Sequence, residues 1–175
     1  MKHEEESLQK VVVAYIRANV KPDFPSLTLI ANPLSSMSFS RDQYKNRRIM
    51  QKANDRGLER GQPDLIISFK KGDKSGLALE LKIDRNKVFS TKTGKLLKNE
   101  HLERQNEVLE NLSENGFVAR FACSKEEAFA YIRSYFEITE HSIEELDAAF
   151  RNKQLNQPKK KKNDEVQVLQ SALVM

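Results

Sequence analysis

A lone cysteine, Cys123, excludes an internal disulfide framework and a cysteine-based zinc cluster. It ends an apolar run, which fits a buried structural thiol rather than a nucleophile. No apolar stretch is long enough to cross a bilayer, so no membrane partner is expected. The opening residues, Met1 to Glu6, are acidic where a signal peptide would be basic and then apolar. No segment repeats. At 175 residues with 38% hydrophobic composition, the chain fits one domain with an adequate core, expected in the cytoplasm.

What the chain has in quantity is charge. Charged residues make up 31% of it, with a net charge of +5 and an isoelectric point near 9.2. The basic residues are grouped. Arg41, Lys45, Arg47, Arg48, Lys52, Arg56 and Arg60 share one segment, and Lys70, Lys71, Lys74, Arg85, Lys87, Lys92, Lys95 and Lys98 follow. Such a footprint suits phosphate contacts, although any one of these residues serves equally well on a solvated surface.

The stretch from Gly61 to Lys82 organises the rest. It reads as two strands, 64–69 and 77–83, joined by a turn over 70–76. Side chains alternate along a strand, so Leu77, Leu79, Leu81 and Ile83 share one face and Ala78, Glu80 and Lys82 the other. Glu80 and Lys82 then lie roughly 7 Å apart at the backbone and point the same way. Asp64 opens the neighbouring strand and is within reach of that corner. Two carboxylates beside an ammonium, on a rigid sheet next to a core, suit metal-dependent phosphodiester chemistry. The plainer alternative is a solvated ion pair of little energetic worth. Glu80-Leu81-Lys82 is, however, the only acidic-x-Lys triplet in the chain. The other Pro-Asp pair, Pro22-Asp23, runs into Phe24-Pro25, a turn signature rather than a strand.

Pro63-Asp64, fifteen residues, then Glu80-Leu81-Lys82 resembles the PD-(D/E)XK nuclease signature. Residues 57–65, 79–82, Glu103-Arg104-Gln105 and 112–121 resemble, in order, the virus-type replication-repair nuclease (VRR-NUC) domain, notably its stand-alone phage and prophage members. The likeness runs from about Glu5 to about Phe136. It implies an α/β fold, a restriction-endonuclease-like αβββαβ core with a small mixed sheet flanked by helices. It also implies Asp64 and Glu80 as principal metal ligands, joined by the main-chain carbonyl of Leu81 and by Glu5, whose run Glu5-Glu6-Ser7-Leu8-Gln9 matches the family's E-x-x-L-Q context on the first helix, with Glu6 as the alternative. Lys82 would be catalytic. The resemblance gives Gln105 a site-lining role, where an apolar helix face alone would make it a core amide. The implied cofactor is magnesium, with manganese as substitute, and the implied partner DNA.

The activity implied is Mg-dependent endonucleolytic hydrolysis, selective for branched DNA such as Holliday junctions or flaps. It would serve phage or prophage replication, recombination or repair, by a homodimer, in a bacterial or phage-infected cell. Alternatives are a sequence-specific restriction-type enzyme, a catalytically silent DNA-binding module, and a protein-interaction adaptor acting through its tail. If Glu5, Asp64 and Glu80 converge to about 5 Å, each pair repels by roughly 3 kcal/mol at an effective dielectric near 20, and a divalent cation resolves the clash. All-oxygen donors suit magnesium or manganese rather than zinc.

Around this centre the periodicity predicts a helix over 4–19, with Leu8, Val11, Val12, Tyr15 and Ile16 as its apolar stripe, and a short strand over 27–31. Ser40 and Gln43 signal a capping box for a basic helix to about Arg56. Lys45, Arg48, Lys52, Arg56, Arg60 and Lys87 are the candidate DNA contacts. Residues 84–98 read as a flexible basic loop, 99–115 as a helix stopped by Gly116, and 117–123 as the last strand. Ser124 with Glu127 and Ser142 with Glu145 announce two more helices, the second to about Phe150. The expected organisation is a nuclease-like domain over 1–138, an additional helix over 139–152, and a basic flexible tail over 153–175 carrying Lys159 to Lys162.

Overall fold

In the computed structural model, the residues described are 2–32, 44–45, 48, 51–52, 55 and 61–156. In chain order they form α1 (Lys2–Asn19), β1 (Thr28–Ala31), β2 (Leu65–Lys71), β3 (Lys74–Leu81), α2 (Glu100–Glu114), β4 (Phe117–Ala122), α3 (Lys125–Tyr135) and α4 (Ile143–Leu155). The first six give the order α, β, β, β, α, β. The four strands lie in sequence order, β1, β2 and β3 antiparallel and β4 parallel to β3. This is a small mixed sheet flanked by helices, as expected.

The β2–β3 connection is tighter than the sequence implies. Lys71 pairs with Lys74, so only Gly72 and Asp73 turn, with Gly72 at φ 59°. A β-branched or bulky residue would be strained there. The turn over 70–76 was expected because those residues are polar. Backbone pairing needs no apolar side chain, and Lys71 earns a place at the strand end by donating to the Phe136 carbonyl (2.9 Å) beside Glu137 (3.0 Å).

Both sheet faces are covered. Leu65, Ile67, Leu77, Leu79, Leu81, Val118 and Ala122 meet Val12 and Ile16 of α1 and Ala128, Tyr131, Ile132 and Tyr135 of α3. Ala78, Ala119 and Phe121 meet Leu102 and Leu109 of α2, with Val88. Burying each large aliphatic side chain contributes about 1.5–3 kcal/mol. Gly76 marks the tightest approach. A Cβ there would lie 2.5 Å from the Ile67 carbonyl oxygen and 2.5 Å from the Phe117 ring. β3 is therefore buried on both sides from Gly76 to Leu81, and the motif carboxylate does not sit on a wet face.

Residues 84–98 are more structured than their charge predicts. Arg85–Lys87 form a 3-10 turn capped by Asp84, Phe89 bridges Leu96, and Val88 is buried. Arg85 pairs with Glu127 at 3.0 Å. The same contact modifies the start of α3. Ser124 caps it by accepting from the Glu127 amide, but the Glu127 carboxylate accepts from the Cys123 N–H and Arg85 instead of closing a capping box. Ser142 and Glu145 do close one at α4.

Helix α4 also runs past Phe150, to Leu155. Gln154 is only 1% exposed and donates to Asn86 Oδ1 (2.9 Å) and the Phe89 carbonyl (3.0 Å). The body of the domain thus includes residues the expected tail boundary at 153 would remove. A chain shortened to end at 152 should be less stable than one ending at 156 by about 1–3 kcal/mol, the cost of unmaking these bonds. Equal urea midpoints for the two would contradict this.

Candidate functional site

Leu65 pairs with Leu79 and Ile66 with Ala78. Continuing that register by one residue sets Asp64 opposite Glu80, on the face that α2 covers. The proline before Asp64 has no N–H to extend the ladder. At this end of the hairpin the Leu81 N–H donates to Asp64 Oδ2 at 2.9 Å. Two residues after Glu80 on the same face, Lys82 places Nζ 2.8 Å from Glu80 Oε1. From α2, Gln105 donates through Nε2 to the same oxygen in a short contact. Glu80 is 2% exposed and Gln105 5%. Glu80 Oε2 and Gln105 Oε1 are buried without a hydrogen-bond partner. Two unsatisfied buried acceptors at one corner are costly in a plain structural ion pair.

The charges confirm the crowding. Burial first, then the charge of Asp64, pushes the Glu80 carboxyl up to about 8. Burial raises Asp64 to about 6, opposed by the Leu81 N–H and by Lys82, with Glu5 adding to the rise. For Lys82, burial works against the ammonium, but Glu80 outweighs it through charge and hydrogen bond. Glu5 and Asp64 add to this, and its pKa rises. Glu5, half-buried in the first turns of α1, thus acts on all three groups. Among the described residues, however, no three His, Cys, Asp or Glu side chains are gathered into a group able to hold a metal ion. Asp64 and Glu80 meet at the corner; Glu5 is felt there through its charge.

The donors suit a hard cation. Every available group is an oxygen, two carboxylates have raised pKa values, and one carboxylate oxygen is orphaned. Cys123 is buried, its thiol pushed up to about 12 by burial and Glu127, and serves the core.

Of the candidate DNA contacts, Lys45, Arg48 and Lys52 are helical and exposed, and Lys87 is exposed on the 3-10 turn. Arg56 and Arg60 lie outside the described residues, as do the Ser40 and Gln43 cap and residues 157–175. Arg85, counted in the basic footprint, is committed to Glu127 and packs over Phe89. His101 is exposed on the first turn of α2, one turn before Gln105. Its pKa is lowered, by partial burial and by Lys82, a link its sequence position on an exposed helix turn does not advertise. Asn32 and the amide of Gln9 bond around Asp64. The sequence signals for Gln9 are its place beside the apolar stripe of α1 and its position closing the Glu5-to-Gln9 run of the resemblance.

No family profile and no curated protein matches the chain. Among solved structures, one described as a "VRR_NUC domain protein" is similar over 76% of this chain and 88% of its own, with 24% identity and a TM-score of 0.47. At that distance the likeness decides neither family nor activity.

Proposed function

We propose that the chain is a metal-dependent nuclease of the VRR-NUC type that hydrolyses DNA phosphodiester bonds with magnesium, or manganese in its place. The observation that carries this is Glu80: a carboxylate buried in a sheet, opposite Asp64 in register, held by Lys82 and Gln105 through one oxygen and left unpaired at the other.

Asp64 and Glu80 would hold the cation, with the Leu81 carbonyl and Glu5 assigned by the sequence resemblance. When bound, it supplies an acidified water and neutralises charge on the phosphate. Gln105 fixes the Glu80 carboxylate. Lys82, already paired to Glu80, is positioned to orient the attacking water and to offset negative charge building on the phosphoryl oxygens. The exposed cations Lys45, Arg48, Lys52 and Lys87, with Arg56 and Arg60, would grip the backbone, and binding should weaken as salt rises. Branched DNA is the proposed substrate and a homodimer the proposed form, both resting on the resemblance.

A DNA-binding module without catalysis is the second reading, favoured by the lack of a three-acid cluster among the described residues. Linear, flap and four-way-junction DNAs incubated with and without magnesium separate the two. The nuclease predicts cation-dependent cutting, strongest on a branched substrate. Binding to every substrate with no cutting in magnesium or manganese would establish the silent module.

A further inference from the structure

Two segments close around the main chain at residues 62–64, and neither contributes a side chain of the acidic-Lys motif. Gln9, 7% exposed on α1, donates through Nε2 to the Asp64 carbonyl (2.8 Å) and the Asn32 carbonyl (3.2 Å). The Asn32 N–H donates to that same Asp64 carbonyl (2.8 Å), and Asn32 Nδ2 to the Gln62 carbonyl (3.1 Å). Residues 62–64 are thereby tied to α1 and to the end of β1. On the opposite side, the Asp64 carboxylate takes the Leu81 N–H.

We infer that Gln9 is a positioning residue for the catalytic corner. It holds the Asp64 main chain so that the carboxylate stays on the Leu81 amide and opposite Glu80, and it couples α1, the helix carrying Glu5, to both. The reason is geometric. Asp64 stands just before β2 begins, where ladder bonds from β3 no longer hold the chain. There the Asn32 N–H and the buried Gln9 amide together hold the Asp64 carbonyl, and Gln9 is the one that ties it to α1. Leucine has nearly the same bulk but no donor, so Gln9→Leu frees the Asp64 carbonyl from α1 while largely keeping the core filled. A displacement of the order of 1 Å at a catalytic group costs up to about 100-fold in rate.

The catalytic part of this inference rests on the proposed nuclease function; the clamp itself does not. In Gln9→Leu the Leu81 amide should exchange its hydrogen at least about tenfold faster, as local opening increases, while Leu77 and Leu79 stay protected. The manganese concentration for half-maximal cutting should rise severalfold and kcat fall about 10- to 100-fold, with KM for DNA within about twofold of wild type. Uniform acceleration of all amides, with manganese dependence and kcat unchanged, would make Gln9 a mere packing residue and overturn the inference. Asn32→Ala, which releases the Gln62 carbonyl and keeps the Asn32 main-chain bonds to Asp64 and Gln9, serves if Gln9→Leu does not fold, and should move the same amide in the same direction by less. If the wild-type chain cuts no DNA, the nuclease proposal fails. The Leu81 amide and calorimetric manganese affinity then still decide the clamp.

Discussion

Lys82→Ala is expected to lower magnesium-dependent DNA cleavage by about 10²–10⁴-fold, the span for losing a group that handles protons or charge in the transition state. DNA binding measured in calcium should change by less than about threefold. Lys82 is mostly buried and paired to Glu80 at 2.8 Å, so it contributes little to the external grip on phosphates. Asp64→Ala should abolish cutting as completely, for another reason: it removes one carboxylate and leaves the Leu81 N–H without its acceptor. The two variants differ diagnostically. Lys82→Ala should still bind manganese, whereas Asp64→Ala should bind it much more weakly. Cleavage by either at more than about a tenth of the wild-type rate would remove these residues from the chemistry.

The second large effect is on stability. Glu80 and Asp64 titrate in the folded protein near 8 and 6, above their ordinary values of 4.5 and 3.8. A carboxyl group raised on folding favours the folded state while protonated and opposes it once ionised. The metal-free protein should therefore be most stable, as far as these groups are concerned, below about pH 4. It should lose stability as pH rises from there through about 8. At 1.36 kcal/mol per unit, the loss is of the order of a few kcal/mol for this coupled pair. Lys82, also raised, keeps its charge across the whole window and does not reverse the slope. Glu80→Gln, which mimics the protonated acid and still accepts from Lys82, should flatten the dependence and stabilise the metal-free protein near pH 7.5. It should also lose activity, so stability and function part company at one residue. Manganese should restore the wild type at pH 7.5 and leave Glu80→Gln nearly unmoved. A parallel pH profile for the two proteins by urea unfolding would refute the account of Glu80.

The corner was legible in the sequence because strand alternation is rigid. Once Leu77, Leu79 and Leu81 face one core, Glu80 and Lys82 must face the other side together. The register that brings Asp64 opposite Glu80 depends on where the turn falls. A two-residue turn at Gly72 was not distinguishable from a longer polar one by composition. The depth of burial was also hidden. Nothing in an alternating strand reveals that a second helix lies on its polar side, and periodicity alone made Gln105 an amide on an apolar stripe, its site-lining role coming from the resemblance. Gln154 was obscure for a related reason, since it satisfies the Phe89 carbonyl far away in sequence; Gln9 closes the Glu5-to-Gln9 run, but nothing local shows that its amide reaches the Asp64 carbonyl. Charge misled at 84–98, where Arg85 is spent on Glu127 rather than on solvent.

Calorimetric titration of manganese into the metal-free protein at pH 7, repeated in buffers of different ionisation heat, tests the carboxylate corner most directly. Burial, with the charge of Asp64 acting on Glu80, raises the two carboxyls to about 8 for Glu80 and about 6 for Asp64, so the pair holds a proton near neutral pH that a cation must displace, and binding should release protons. Binding at one site with that release, lost in Glu80→Gln, is the predicted result. No saturable binding, or binding that releases no proton and survives Glu80→Gln, would contradict it.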